Sequence, residues 1–151
     1  MQTRRQALTH SARVASLLVA TGLFPQFARA FNQDAFAAKN LADAFRALGM
    51  NAPVASKDVG LDGPDMAENG ASVLVTASTT LPGVKQVLLL VEKNPSSLIA
   101  RFHLSDSVEA NFAIRTKMGQ SSDVYAVAVM ADGKAFFAKK YITVIEGGCG
   151  G

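Results

Sequence analysis

The residue best placed to do chemistry is the chain's only cysteine, Cys149, in the stretch Gly147-Gly148-Cys149-Gly150-Gly151 that closes the 151 residues. Cysteine ordinarily packs as a small hydrophobe and is among the most buried residue types. Glycine has no Cβ and offers little cover, so this stretch predicts a mobile tail that cannot bury its thiol. An unpaired, uncovered thiol points to reaction or covalent modification; an incidental terminal cysteine is the plainer reading. Charge speaks against a nucleophilic catalyst. Thiols are activated by a nearby cation or a helix N-terminus, yet the nearest charges along the chain are Glu146 and the Gly151 carboxylate. Both disfavour the thiolate. The pattern suits an attachment point. Four or five flexible residues span roughly 11–13 Å, enough to carry an attached group into a narrow pocket of another protein. Gly150 and Gly151 keep the end thin enough to follow.

The other candidate groups are few. Beyond the first 30 residues there is one histidine, His103, between Phe102 and Leu104. As a general base for Cys149 it would have to be brought close by the fold; a strand histidine with its ring at the surface is the expectation. One His and one Cys with no spacing motif do not make a zinc site. Asp62, Asp65 and Glu68 cluster, but without the alternating oxygen ligands of a calcium loop, so a solvated acidic turn is expected. No glycine-rich loop joins a strand to a helix, which excludes a phosphate cradle. A thiol redox enzyme would need a second cysteine, normally in C-x-x-C, and a disulfide framework is excluded for the same reason.

The elements that position this tail begin after an export segment. Residues 1–30 open on Arg4, Arg5 and Arg13, pass through the apolar run Val14–Ala20, and end at Ala28-Arg29-Ala30, an A-x-A type cleavage site. The run is far shorter than the ~20 residues that span a bilayer. Thr3-Arg4-Arg5-Gln6-Ala7-Leu8 has the layout of a twin-arginine signal; an ordinary Sec signal with two arginines is the other reading. Cleavage near Ala30 would leave 121 residues, one domain's worth. Four of the 15 basic residues and none of the 12 acidic ones lie in the signal, so the remainder carries a formal −1. No nucleic-acid or membrane-surface footprint remains.

The rest of the chain, residues 31–146, reads as one all-β domain with a single helix at its start. Ala37, Leu41, Ala44, Phe45 and Leu48 fall on one helical face, with Asn32 or Asp34 as cap and Gly49 just past the end. Strands are predicted over residues 57–61, 71–78, 85–92, 98–104, 111–118, 123–130 and 134–145, with Asp132-Gly133 as a hairpin turn. About seven short strands at this spacing argue for an immunoglobulin-like β-sandwich. Val124–Val129 and Tyr141–Ile145 are apolar on nearly both faces. Such strands lie in the middle of a sandwich or have their outer face covered by another subunit.

The tail resembles the carrier-arm motif of the SoxY family, sulfur-compound carrier subunits of the periplasmic thiosulfate-oxidising system. Pro64-Asp65-Met66-Ala67-Glu68-Asn69-Gly70-Ala71, Val91-Glu92-Lys93-Asn94-Pro95, Arg115-Thr116-Lys117-Met118, Asp123-Val124-Tyr125-Ala126-Val127 and Asp132-Gly133-Lys134 are similar to stretches of that family as well. The resemblance implies a periplasmic, non-catalytic subunit that pairs with a SoxZ-like protein as a heterodimer and holds no metal or other cofactor. It implies that Cys149 bears the substrate covalently, as an S-thiosulfonate or related adduct, on an arm formed by Gly147, Gly148, Gly150 and Gly151. A haem-containing transferase would load it, a hydrolase would release sulfate, and a sulfur dehydrogenase would oxidise what remains. It also offers partner cover as the cause of strands apolar on both faces. Two positions depart from the family pattern: Thr116, where an aliphatic residue is usual, and Glu146, where a small or aliphatic one is common. The rival reading is an exported immunoglobulin-like structural module that uses Cys149 for an intermolecular disulfide.

Overall fold

Nine strands and two short helices account for the regular structure of the computed structural model, which describes residues 32–105 and 107–145. The predicted signal (1–30), Glu146, Cys149 and the arm glycines Gly147, Gly148, Gly150 and Gly151 lie outside the described residues.

The predicted single helix is a pair: α1 (Gln33–Ala37) and α2 (Leu41–Ala47). Two interactions divide it. The Asn40 side chain caps α2, accepting from the Asp43 amide at 2.8 Å, which takes a helix-start geometry that cannot continue a preceding helix. The carbonyls of Phe36 and Ala38 are used by the Ser96 hydroxyl and the Ser97 amide. The break rotates the first turn, so Ala35 and Ala38 are buried and Ala37 is exposed. Ala44 is buried as the periodicity predicts, and Leu41, Phe45 and Leu48 pack beside it. Gly49 has φ +67°, the left-handed stop that its position past the helix requires.

All seven predicted strands are present within two residues of their expected ends. They are β2 (Val59–Asp62), β4 (Val73–Thr79), β5 (Val84–Val91), β6 (Leu98–His103), β7 (Asn111–Thr116), β8 (Ser122–Met130) and β9 (Ala135–Val144). Two more, β1 (Val54–Ala55) and β3 (Met66–Ala67), are only two residues long. The larger sheet runs β1-β9-β8-β5-β6, with β3 also on β9; the smaller runs β2-β4-β7. They form an immunoglobulin-like sandwich, closed by the hairpin at Gly133 (φ +82°) that joins β8 to β9.

Between the sheets lie Val73 and Val75 of β4, Val87, Leu89 and Val91 of β5, and Val124, Ala126 and Ala128 of β8. The alternate residues Leu88, Leu90, Val127 and Val129 point the other way and are also buried, under α1 and α2. This corrects the expectation that a partner subunit explains strands apolar on both faces. For β5 and β8 the chain's own helix pair covers the second face. On β9 only part of the run is covered, since Ile142 is buried while Tyr141 and Ile145 are exposed. Among the described residues no helix is long and apolar enough to cross a membrane.

Candidate functional site

The described part of the predicted site is the root of the tail, where β9 ends at Val144, two residues before Glu146. At ten residues β9 is the longest strand, paired with β8 along one edge from Ala135 to Ile142. Its other edge meets two short parallel partners. β1 takes the near end, with Val54 opposite Phe136, and β3 takes the far end, with Ala67 opposite Val144.

The far end is the more heavily tied. The Thr143 amide donates to Asp65 O at 3.0 Å and the Ile145 amide to Ala67 O at 2.9 Å. On the opposite edge the Val144 amide donates to Ser121 Oγ at 2.9 Å. Lys140 fastens the same loop from the side, its ammonium 2.8 Å from Asp65 Oδ1 and 2.5 Å from Gly63 O. That contact, first as a hydrogen bond and then through charge, lowers the Asp65 carboxyl below its ordinary value against a small desolvation effect. Backbone hydrogen bonds thus fasten the chain up to Ile145, two residues before Gly147.

Four stretches singled out in the sequence converge on this end. Residues 64–71 supply Asp65 and Ala67 to β9, and Gly70 O accepts from the Met118 amide at 2.7 Å. A Cβ at Gly70 would collide with Met118 O and lie 2.7 Å from Val144 Cγ1; only glycine lets these three segments meet. Asn94, from residues 91–95, bridges to the next stretch, donating to Lys117 O at 2.7 Å and accepting from the Gly119 amide at 3.2 Å. Thr116, the departure from the family pattern, is buried opposite Val73, with its hydroxyl 3.4 Å from Lys117 O. Asp123, from the fourth stretch, accepts the Glu92 amide and pairs with Lys139 at 3.4 Å.

His103 is exposed and sits opposite Gln86, at the other end of β6 from Leu98. Leu98 and Val91 mark the end where β9 finishes, so His103 stands about 17 Å along its strand from that end. The fold separates it from the root of the tail. Asp62, Asp65 and Glu68 are exposed and Asp65 is engaged by Lys140; among the described residues no three His, Cys, Asp or Glu converge as metal ligands. Sequence reasoning missed Ser121, Lys140 and the two-residue strands. Two residues carry no readable periodicity, and a lysine in an apolar strand does not name its partner.

Residues 45–149 match the family model for the sulfur oxidation protein SoxY. The chain belongs to the SoxY family. The matched span covers the collar at the end of β9 and runs through Cys149. The solved sulfur carrier protein SoxY from Chlorobium limicola f thiosulfatophilum is similar at 27% identity and a TM-score of 0.63, over 70% of this chain and 96% of that one. The superoxide reductase (neelaredoxin) of Ignicoccus hospitalis is similar at 15% identity and a TM-score of 0.52, covering 58% of this chain and 80% of that one. At that identity the likeness is of fold alone. No curated protein sequence matches the chain. Family and structural likeness together support a carrier role in sulfur oxidation.

Proposed function

We propose that the protein carries thiosulfate-derived sulfur covalently on Cys149 and presents it to a series of enzymes without itself catalysing a step. The observation that carries this reading is the collar around the end of β9. A rigid root at Ile145, followed at once by Glu146 and Gly147-Gly148-Cys149-Gly150-Gly151, suits an arm that moves while its body stays docked. The same tail supplies no cation to activate the thiol, which fits an attachment point rather than a catalyst.

The chemistry assigned to the partners balances as follows. A haem-containing transferase would join the outer sulfur of thiosulfate to Cys149, with the thiol proton released and two electrons passed on through haem in one-electron steps. The product is an S-thiosulfonate. A hydrolase then adds water across the terminal S–S bond, releasing sulfate and leaving a persulfide on the cysteine. A sulfur dehydrogenase oxidises that sulfane where one is present. This chain needs no metal or cofactor for these roles. Export by the twin-arginine route to the periplasm, with cleavage near Ala30, and pairing with a SoxZ-like subunit belong to the same proposal.

The test is the intact mass of the mature protein, isolated without reductant from cells fed thiosulfate. Added mass matching sulfur or sulfonate units, lost on thiol reduction and absent in Cys149→Ser, is the expected result. A clean thiol, or only a doubled mass from an intermolecular disulfide, would return the structural-module reading to the front.

A further inference from the structure

Beside the root of the tail the sandwich has an open flank, where edge strand β6 of the larger sheet faces edge strand β7 of the smaller. A cleft of about 430 Å³ lies there, between the β5–β6 turn and the end of β7, lined among others by Asn94, Ser96, Ile99, Arg115, Thr116 and Lys117. No carboxylate lines it. Arg115 and Lys117 are in no ion pair among the described residues; the Arg115 guanidinium donates to Ser72 Oγ at 3.5 Å. The neutral polar groups are already occupied. Asn94 is spent on Lys117 O and the Gly119 amide, and the Ser96 hydroxyl on Phe36 O. What the cleft has to offer is positive charge.

Its position relative to the tail is set by Gly70. The space a Cβ would occupy there touches both Met118 O and Val144 Cγ1, so the Met118–Gly119 peptide lies beside Val144, the last residue of β9. Arg115 is three residues back along the chain from Met118, about 10 Å. From Ile145 to Cys149 is four residues, at most about 14 Å when extended. The cleft is within reach of an adduct on Cys149.

We propose that this cleft is a docking site in cis for the oxyanion end of the adduct on Cys149, with Arg115 and Lys117 as its cationic partners. The inference rests on the carrier reading above and adds to it a resting place for the loaded arm. Exposed charge pairs are individually weak, so a free oxyanion would not be held at ordinary concentrations. A short flexible tether supplies an effective concentration on the order of millimolar, which makes a weak site occupied yet easily vacated. Loss of the sulfonate as sulfate removes the docked group, so the parked fraction reports the state of the arm.

The test uses the purified chain loaded in vitro. With tetrathionate the Cys149 thiolate attacks an inner sulfur, the central S–S bond breaks, thiosulfate leaves, and an anionic S-thiosulfonate remains. Methyl methanethiosulfonate gives a neutral methyl disulfide with methanesulfinate as leaving group. Backbone amide shifts of Arg115, Thr116 and Lys117 are then compared. The expected result is movement with the anionic adduct only, abolished by ~1 M salt, where screening acts within about 3 Å. Movement should be lost in Arg115→Gln/Lys117→Gln and kept in Lys57→Gln, which removes a positive charge at the far end of the smaller sheet. Equal shifts with both adducts, or shifts that survive the double substitution, would overturn the proposal while leaving the carrier reading intact. Shifts produced by millimolar free thiosulfate in Cys149→Ser, and not by the tethered adduct, would overturn it in favour of a site for the free anion. A Cys149 that accepts neither reagent would sink the carrier reading and this proposal with it.

Discussion

Lys140 lies on β9 and Asp65 in the loop before β3, and the two are joined at 2.8 Å with Gly63 O also within reach of the ammonium. The pair is 75 positions apart in sequence, yet it pins the loop whose carbonyls receive the last amides of β9. It fixes the end of β9 as a base for whatever follows.

That pairing has a defined pH range. The Asp65 carboxyl titrates below its ordinary value of 3.8 because Lys140 favours the charged form. A lowered folded value means the contribution is fully present above the unfolded value and is lost as pH falls through the folded one. Amide exchange protection at Thr143 and Ile145 should therefore hold from neutral pH down to about pH 4 and fall below it. Lys140→Met should show the lower protection already at neutral pH, with little change in global stability because the carboxylate is exposed. Unchanged protection in that variant would sink the idea that the pair fixes the arm root.

Gly70 is the contact point of three segments, and a methyl there has nowhere to go. Gly70→Ala should destabilise by about 1–3 kcal/mol through overpacking. Urea denaturation should show a lower midpoint at unchanged slope, and the largest amide shifts should map to Met118 and Val144.

Leu88 is fully buried on the helix-facing side of β5. If α1 and α2 are its cover, Leu88→Ala should cost about 2–5 kcal/mol in the isolated chain, with no partner present. A cost below ~0.5 kcal/mol, the usual range for surface changes, would mean that this face is not packed in the isolated chain.

Deleting Gly147 and Gly148 should leave folding and tetrathionate loading of Cys149 unchanged, because a small reagent needs no reach into a partner protein. Enzymatic loading in the complete thiosulfate-oxidising system should slow by about tenfold or more, since misplacement at a reacting centre is costly. Equal enzymatic rates for the two proteins would show that reach is not what the glycines provide.

Much of this protein was legible before any coordinates. Seven strands follow from short apolar runs between turn residues, since the periodicity of a strand and the φ > 0 demand of a turn are local properties. Gly49 and Gly133 illustrate the second, both with left-handed backbones where their neighbours require it. The proposal that Cys149 is an attachment point is equally local, because it rests on a glycine-flanked thiol with acidic neighbours in the immediate sequence.

Tertiary structure decided the rest. The helix break depends on Ser96 and Ser97, some sixty residues away, taking the carbonyls of Phe36 and Ala38. Whether Leu88 and Val127 faced a partner or their own helices could not be read from strands that are apolar on both sides; only packing assigns the second face. The gathering of Asp65, Gly70, Asn94 and Met118 around the end of β9, and of Arg115 and Lys117 beside it, results from sheet pairing between segments far apart in the chain. Local sequence determines which elements form and which reactive group stands in the tail. Long-range pairing determines what stands next to it.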